Sequence, residues 1–293
     1  MIDYAFSSGS ELLDICRTNA IPISEAAIRY ELSREEMNRQ GVMNEMRIDL
    51  DVMRESIREG LEEQQISITG LMGEDADRLM AFADSAIMGP EMTKIVASAM
   101  AVTEVNASMG RIVAAPTAGA SGILPAVLIQ YGDDHDVSEE QLIAALCNAG
   151  AIGLIIAHNA SIAGASGGCQ AETGSAAAMA ASALTELRGG TPEMCLHAAA
   201  IALKNVMGLV CDPVAGLVEC PCIKRNAIGA ANAVLCSDMV MAGIESIIPF
   251  DEVVTSMRNV GRMMHPDLRE TARGGLAATP TAQKIAEKIR SFE

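Results

Sequence analysis

Residues 138–159, SEEQLIAALCNAGAIGLIIAHN, contain the longest apolar run of the chain. Ser138 followed by Gln141 is a capping box, in which each side chain satisfies the other's backbone N–H, so a helix is predicted over 139–157. The apolar part, Leu142 to Ala157, is short for a bilayer span, carries Asn148 and stops at His158-Asn159. A buried core helix is therefore expected, not a membrane segment.

The neighbouring sequence has the same character. Residues 141–243 hold only 10 charged residues in 103, so their helices should be buried on most sides. Thr191-Pro192-Glu193 supplies an N-cap, a proline at the first helical position and an acid in the first turn. It predicts a helix running to about Val210. Ala-rich 172–188 and 225–243 predict two more, because alanine is the best helix former. Residues 24–65 hold 17 charged residues in 42, with Ile28, Leu32, Met46, Leu50 and Met53 spaced toward one face. They read as exposed amphipathic helices with a break near Gln40-Gly41. Alternating β-branched runs are missing. The expectation is all-α: a charged N-terminal helical extension (1–65) and a large Ala/Gly-rich helical catalytic domain (66–293) with Gly/Pro-rich loops.

With 293 residues, half apolar and a fifth charged, the chain is globular. It has no Trp, so Ala, Leu, Ile, Val and the 19 Met must build the core. The net charge of −17 argues against nucleic acid and anionic membranes, which need clustered Lys and Arg. The start, MIDYAFSSGSELLD, lacks a basic region and an apolar stretch, so the cytoplasm is expected. In that compartment eight Cys are metal ligands or inert, not four disulfides.

Three loops interrupt the helices. The first, Ala115 to Gly122, contains Thr117, Gly119, Ser121 and Gly122; its backbone N–H groups suit a carboxylate, and Arg111 lies just upstream to pair with it. An ordinary tight turn would look the same. The second, His158 to Glu172, has a glycine run but no Gly-Lys-Ser/Thr ending, which excludes a phosphate loop. It ends on Cys169 before a helix, a position expected to lower the thiol pKa. The third, Cys211 to Cys222, is broken by two prolines and a glycine.

Seven of the eight Cys lie between 147 and 236. Cys147, Cys195 and Cys236 sit inside apolar helix patterns and are expected in the core; Cys16 is isolated. Cys169, Cys211, Cys220 and Cys222 all fall in loops. Their spacing leaves three readings open: a structural zinc site, an iron–sulfur cluster with irregular spacing, or inert thiols.

Four segments in order, PTAGASGILPA (116–126), HNASIAGASGGCQAETGSA (158–176), MGLVCDPVAGLVECPCIKRNAIGA (207–230) and MHPDLRETARGGLAATPTA (264–282), resemble the α chain of iron–sulfur L-serine dehydratases. The resemblance spans nearly everything beyond residue 60. It implies a lyase converting L-serine to pyruvate and ammonia, in amino-acid degradation and gluconeogenesis, without pyridoxal phosphate. It implies a [4Fe–4S] cluster on Cys169, Cys211 and Cys222, with Cys220 a neighbour, although ligation by Cys220 is the alternative. The open iron would act as Lewis acid on the hydroxyl. A separate β chain with an ACT-type domain and an oligomer are expected as partners. Some single-chain relatives offer the fourth iron a C-terminal cysteine; this chain ends RSFE, so that feature does not carry over. The candidate bases are His158, at a helix end, and Lys204, alone in an apolar helix. Thr117, Gly119, Ser121, Gly122, Arg111 and Asn159 are the candidate substrate-binding residues. The nearest rival activity is an L-cysteine desulfidase or related β-eliminating lyase built on the same cluster.

Overall fold

The computed structural model describes residues 4–34 and 37–291. Among them run thirteen α-helices: α1 (Gly9–Asn19), α2 (Ile23–Arg34), α3 (Arg39–Glu62), α4 (Asp75–Ala81), α5 (Pro90–Ala107), α6 (Ile123–Asp134), α7 (Glu139–Asn159), α8 (Gly164–Gly167), α9 (Ser175–Leu187), α10 (Pro192–Asn205), α11 (Cys222–Met241), α12 (Phe250–Met263) and α13 (Pro280–Arg290). The described residues form no strand, only isolated bridges pairing Ile66 with Gly73 and Cys211 with Arg269. The all-α expectation holds.

Local chemistry explains the helix starts. Ser138 Oγ accepts from the Gln141 N–H at 3.3 Å, and Gln141 Oε1 accepts from the Ser138 N–H at 3.0 Å. Thr191 Oγ1 accepts from the Met194 N–H at 3.3 Å, with Pro192 at the first helical position. α10 ends at Asn205, short of Val210, because Gly208 turns the chain at φ 88°. The helix expected from 172 starts at Ser175, after a π-helical turn over Gln170–Gly174. The break between α2 and α3 falls before Arg39; its residues 35 and 36 lie outside the described residues.

α9 is the centre. Every residue from Ser175 to Thr185 is buried, and the helix packs against α6, α7, α10 and α11. Its alanines let those neighbours approach on all sides. α7 contributes Leu142, Ile143, Ile152, Ile155 and Ile156, all nearly inaccessible. Each such side chain stabilises the fold by roughly 1.5–3 kcal/mol relative to exposure, and Ile152→Ala would cost about 2–5 kcal/mol. α7 alone among the described helices is long and apolar enough to cross a membrane, and most of it is buried inside the protein. α1, α2 and α3 join the same core: Leu12, Ile23, Ile28, Leu50 and Met53 cluster with Ile143 and Ile152. Cys147, Cys195 and Cys236 are core residues as expected, and Cys16 is buried with them.

A candidate cysteine-lined active site

Three chain segments carry the thiols to one place. Gly168, at φ 79°, turns the chain into Cys169, which precedes the π-helical turn. Cys211 lies in the third loop, and Cys222 opens α11. Cys169 and Cys211 are buried; Cys220 and Cys222 are half-buried. Burial pushes the Cys222 thiol up to about 12, and the negative charge of Cys169 adds to it. Cys211 is raised by burial first, then by Cys169, Glu172, Glu270 and Cys222. Cys169 is also raised, chiefly by burial. This corrects the expectation of a lowered thiol: burial outweighs the Thr173 hydroxyl, 3.1 Å away, and Arg225, which favour the thiolate.

Burial opposes ionisation of all three thiols, and the charge of Cys169 further opposes that of Cys211 and Cys222; such thiols are poor thiolates alone and good ones around a positive centre. Among the described residues no three His, Cys, Asp or Glu converge on a single ion. Cys169 and Cys222 are near enough to Cys211, and Cys169 to Cys222, for their charges to act across separate segments, an arrangement a multi-iron cluster can use. Gly164 completes the cradle: a Cβ there would meet Glu172 Oε2 at 2.7 Å and Cys211 Sγ at 2.9 Å. The donor set therefore fits an iron–sulfur cluster.

Residues that sequence reasoning passed over hold this arrangement. Arg225 donates through Nη2 to Asp212 Oδ1 at 2.7 Å and through Nη1 to the Val210 carbonyl at 2.8 Å. It thereby pins the Cys211 loop to the helix carrying Cys222. Asp212 Oδ2 accepts from the Leu276 N–H at 2.7 Å, and the Cys211 N–H donates to the Leu268 carbonyl at 2.9 Å. The segment after α12 thus closes over the third loop. Gln170 donates to the Gly167 and Met257 carbonyls and accepts from the Gly208 N–H. Asn226 accepts from the Gly122 N–H at 3.0 Å and donates to the Gly119 and Cys222 carbonyls. Polar residues inside Ala-rich helical sequence were the available signal for Arg225 and Asn226, since burying them requires partners.

The first loop reaches this site. Gly119 faces Glu172, whose Oε1 would lie 3.5 Å from a Cβ at that position. Burial pushes the Glu172 carboxyl up; the Thr117 hydroxyl is near enough to favour its charged form but completes no hydrogen bond. Ser121 Oγ donates within its own turn to the Ala118 carbonyl. The N–H groups of Ala120, Ser121 and Gly122 are taken by Thr117, Ala118 and Asn226, whereas those of Ala118 and Gly119 have no partner among the described residues. Arg111 is exposed, upstream of the loop.

The two candidate bases are placed differently. His158 is exposed in the last turn of α7, where the second loop begins. Lys204 donates through Nζ to the Ser246 carbonyl at 2.5 Å. Asn159 donates to the carbonyls of Ser7 and Ile155, tying the N-terminal segment to the end of α7. Among the described residues, neither the Lys204 nor the Asn159 side chain hydrogen-bonds to the stretches around Cys169, Cys211 or Cys222.

The family model described as serine dehydratase alpha chain matches residues 18–277. The "Probable L-serine dehydratase, alpha chain" of Bacillus subtilis (strain 168) is 48% identical over 97% of this chain and 95% of its own length. The "L-serine dehydratase, alpha chain" of Peptoniphilus asaccharolyticus is 43% identical over 95% of this chain and 96% of its own length. The "L-serine dehydratase TdcG" of Escherichia coli (strain K12) is 38% identical over 94% of this chain but only 62% of its own length.

Proposed function

The chain belongs to the serine dehydratase alpha-chain family, and from that premise we propose that it dehydrates and deaminates L-serine to pyruvate and ammonia. The observation that carries this reading is the grouping of Cys169, Cys211 and Cys222 beside the Thr117–Gly122 loop, in a chain nearly half identical to a relative named for that activity. We place a [4Fe–4S] cluster on these three cysteines, with Cys220 outside the ligand set. When bound, it supplies an electrophile that helps the substrate hydroxyl depart.

The chain's own residues do the rest. The free N–H groups of Ala118 and Gly119 point to the first loop as the seat of the substrate carboxylate, with Arg111 at its entrance. Thr117 and Glu172 line the space between this loop and Cys211, where their polar atoms meet substrate in place of water. Dehydration needs a base for the Cα proton. His158 Nδ1 or Nε2 suits that role better than Lys204 Nζ, which is engaged by Ser246. The resulting aminoacrylate tautomerises to an imine and hydrolyses to pyruvate and ammonia; we propose that no pyridoxal phosphate takes part. We further propose a separate β chain as partner, consistent with relatives named alpha chains, and a cytoplasmic setting.

Anaerobic expression with and without a β partner, followed by visible spectroscopy and product analysis, tests the reading. A brown protein forming pyruvate from L-serine, and losing activity in air, is expected. A colourless zinc protein that makes no pyruvate after iron–sulfide reconstitution would overturn it. Sulfide from L-cysteine in preference to pyruvate from L-serine would move the assignment to a desulfidase.

A further inference from the structure

A cavity of about 290 Å³ lies on another side of the second loop, between α12 and residues 160–171. Ser161, Ser166, Gly167, Gln170, Arg258 and Arg262 are among its lining residues, and none of the lining residues is acidic. In a chain with 38 acids against 21 basic residues, that concentration of positive charge is unusual. Arg258 Nη1 is fixed by the Asn159 carbonyl at 3.1 Å, while its Nη2 makes no hydrogen bond among the described residues and is not closed to solvent. A guanidinium held in place at one nitrogen and open at the other can take an acceptor from outside the chain with little further ordering. Arg269, whose Nη1 donates to the Ser166 carbonyl at 3.5 Å, adds positive charge behind the same wall.

We propose that this cavity is a binding site for a small carboxylate, held by Arg258 and Arg262. Guanidinium groups match a planar carboxylate, and the cavity suits a molecule of amino-acid or keto-acid size rather than a nucleotide. The walls are preorganised: both ends of the Gln170 amide are spent on Gly167, Met257 and Gly208, which fixes the loop around the cavity. Gly167, Gln170 and Ala171 flank Cys169 in sequence, so a ligand here bears on the segment that carries one thiol of the active site.

The site itself does not rest on the dehydratase reading; the choice of L-serine and pyruvate as probes does. Calorimetry on the full chain should show both binding, with R262Q weakening them about tenfold, the loss of one charge-assisted contact. R258Q should remove binding; because Arg258 also ties down Asn159, the exposed R262Q keeps the test valid if R258Q fails to fold. Two sources share this chemistry. A raised KM for L-serine in R262Q would make the bound carboxylate the substrate's. An unchanged KM, with carboxylate binding still weakened, would make it an effector's. Failure of both probes to bind wild-type protein, or wild-type binding by R262Q, would overturn the site. Binding without any pyruvate formation would sink the dehydratase reading and leave the site standing.

Discussion

Arg225 and Asp212 meet at 2.7 Å with their side chains 11% and 3% exposed, the most deeply buried ion pair among the described residues. Burying two charges is unfavourable unless hydrogen bonds complete them. Here the Val210 carbonyl and the Leu276 N–H do so, and the pair joins the Cys211 loop, the Cys222 helix and the C-terminal segment.

Breaking this pair from one side should therefore be severe. Arg225→Met leaves the Asp212 carboxylate buried without its cation and should cost about 3–5 kcal/mol in urea unfolding. It also removes the positive charge that favours Cys169 thiolate, so iron retained after anaerobic reconstitution should fall. Arg225→Lys keeps the charge but not both contacts, and should retain more iron than Arg225→Met. Equal iron loss in both variants would show that the charge is not what matters.

Cysteine replacements should separate ligands from bystanders. Cys169→Ser, Cys211→Ser and Cys222→Ser are each expected to lose brown absorbance and serine-dependent pyruvate formation, while Cys220→Ser keeps both. Iron content per chain and the visible spectrum are the readouts. Loss of iron in Cys220→Ser with retention in Cys222→Ser would exchange their roles.

Gly122→Ala should be poorly tolerated. A Cβ at Gly122 would collide with the Ala99 carbonyl of α5, and a backbone carbonyl cannot rotate away as a side-chain tip can. A loss of roughly 3 kcal/mol or more in chemical denaturation is expected, with displacement of the first loop and lower activity. Gly150→Ala, whose Cβ would meet nothing, is the control and should fold normally.

Glu104 should make stability depend on pH. It is buried on α5, its Oε1 accepts from the Asp75 and Ala76 N–H groups, and its Oε2 has no partner. Burial raises its carboxyl from 4.5 to about 7, against the two backbone donors. Between those values the folded state binds more proton than the unfolded one, so this group's contribution falls as pH rises through that window. The loss approaches roughly 3 kcal/mol above pH 7. Urea unfolding of wild type and Glu104→Gln across pH 5 to 8 measures it. A variant with the wild-type slope would show that another group titrates.

Much of the fold was legible because its signals are local. The capping box at Ser138, the N-cap at Thr191, the alanine runs and the charge contrast between residues 24–65 and 141–243 each act within a few turns of chain. The loop cysteines were legible by contrast with the apolar helices holding Cys147, Cys195 and Cys236. The ionisation of Cys169 was misjudged for a corresponding reason. A helix start is visible in sequence, but the burial that overrides it comes from segments distant along the chain.

The sequence by itself therefore determined an all-helical chain, the loops that interrupt its helices and the thiols those loops carry, because propensity, capping and hydrophobic period act between near neighbours. Only the tertiary structure decided which polar residues hold those thiols. Arg225 meets Asp212 across thirteen positions, Asn226 meets Gly122 across 104, and Gln170 meets Met257 across 87. Such pairings depend on how helices pack in space, and no local pattern encodes them.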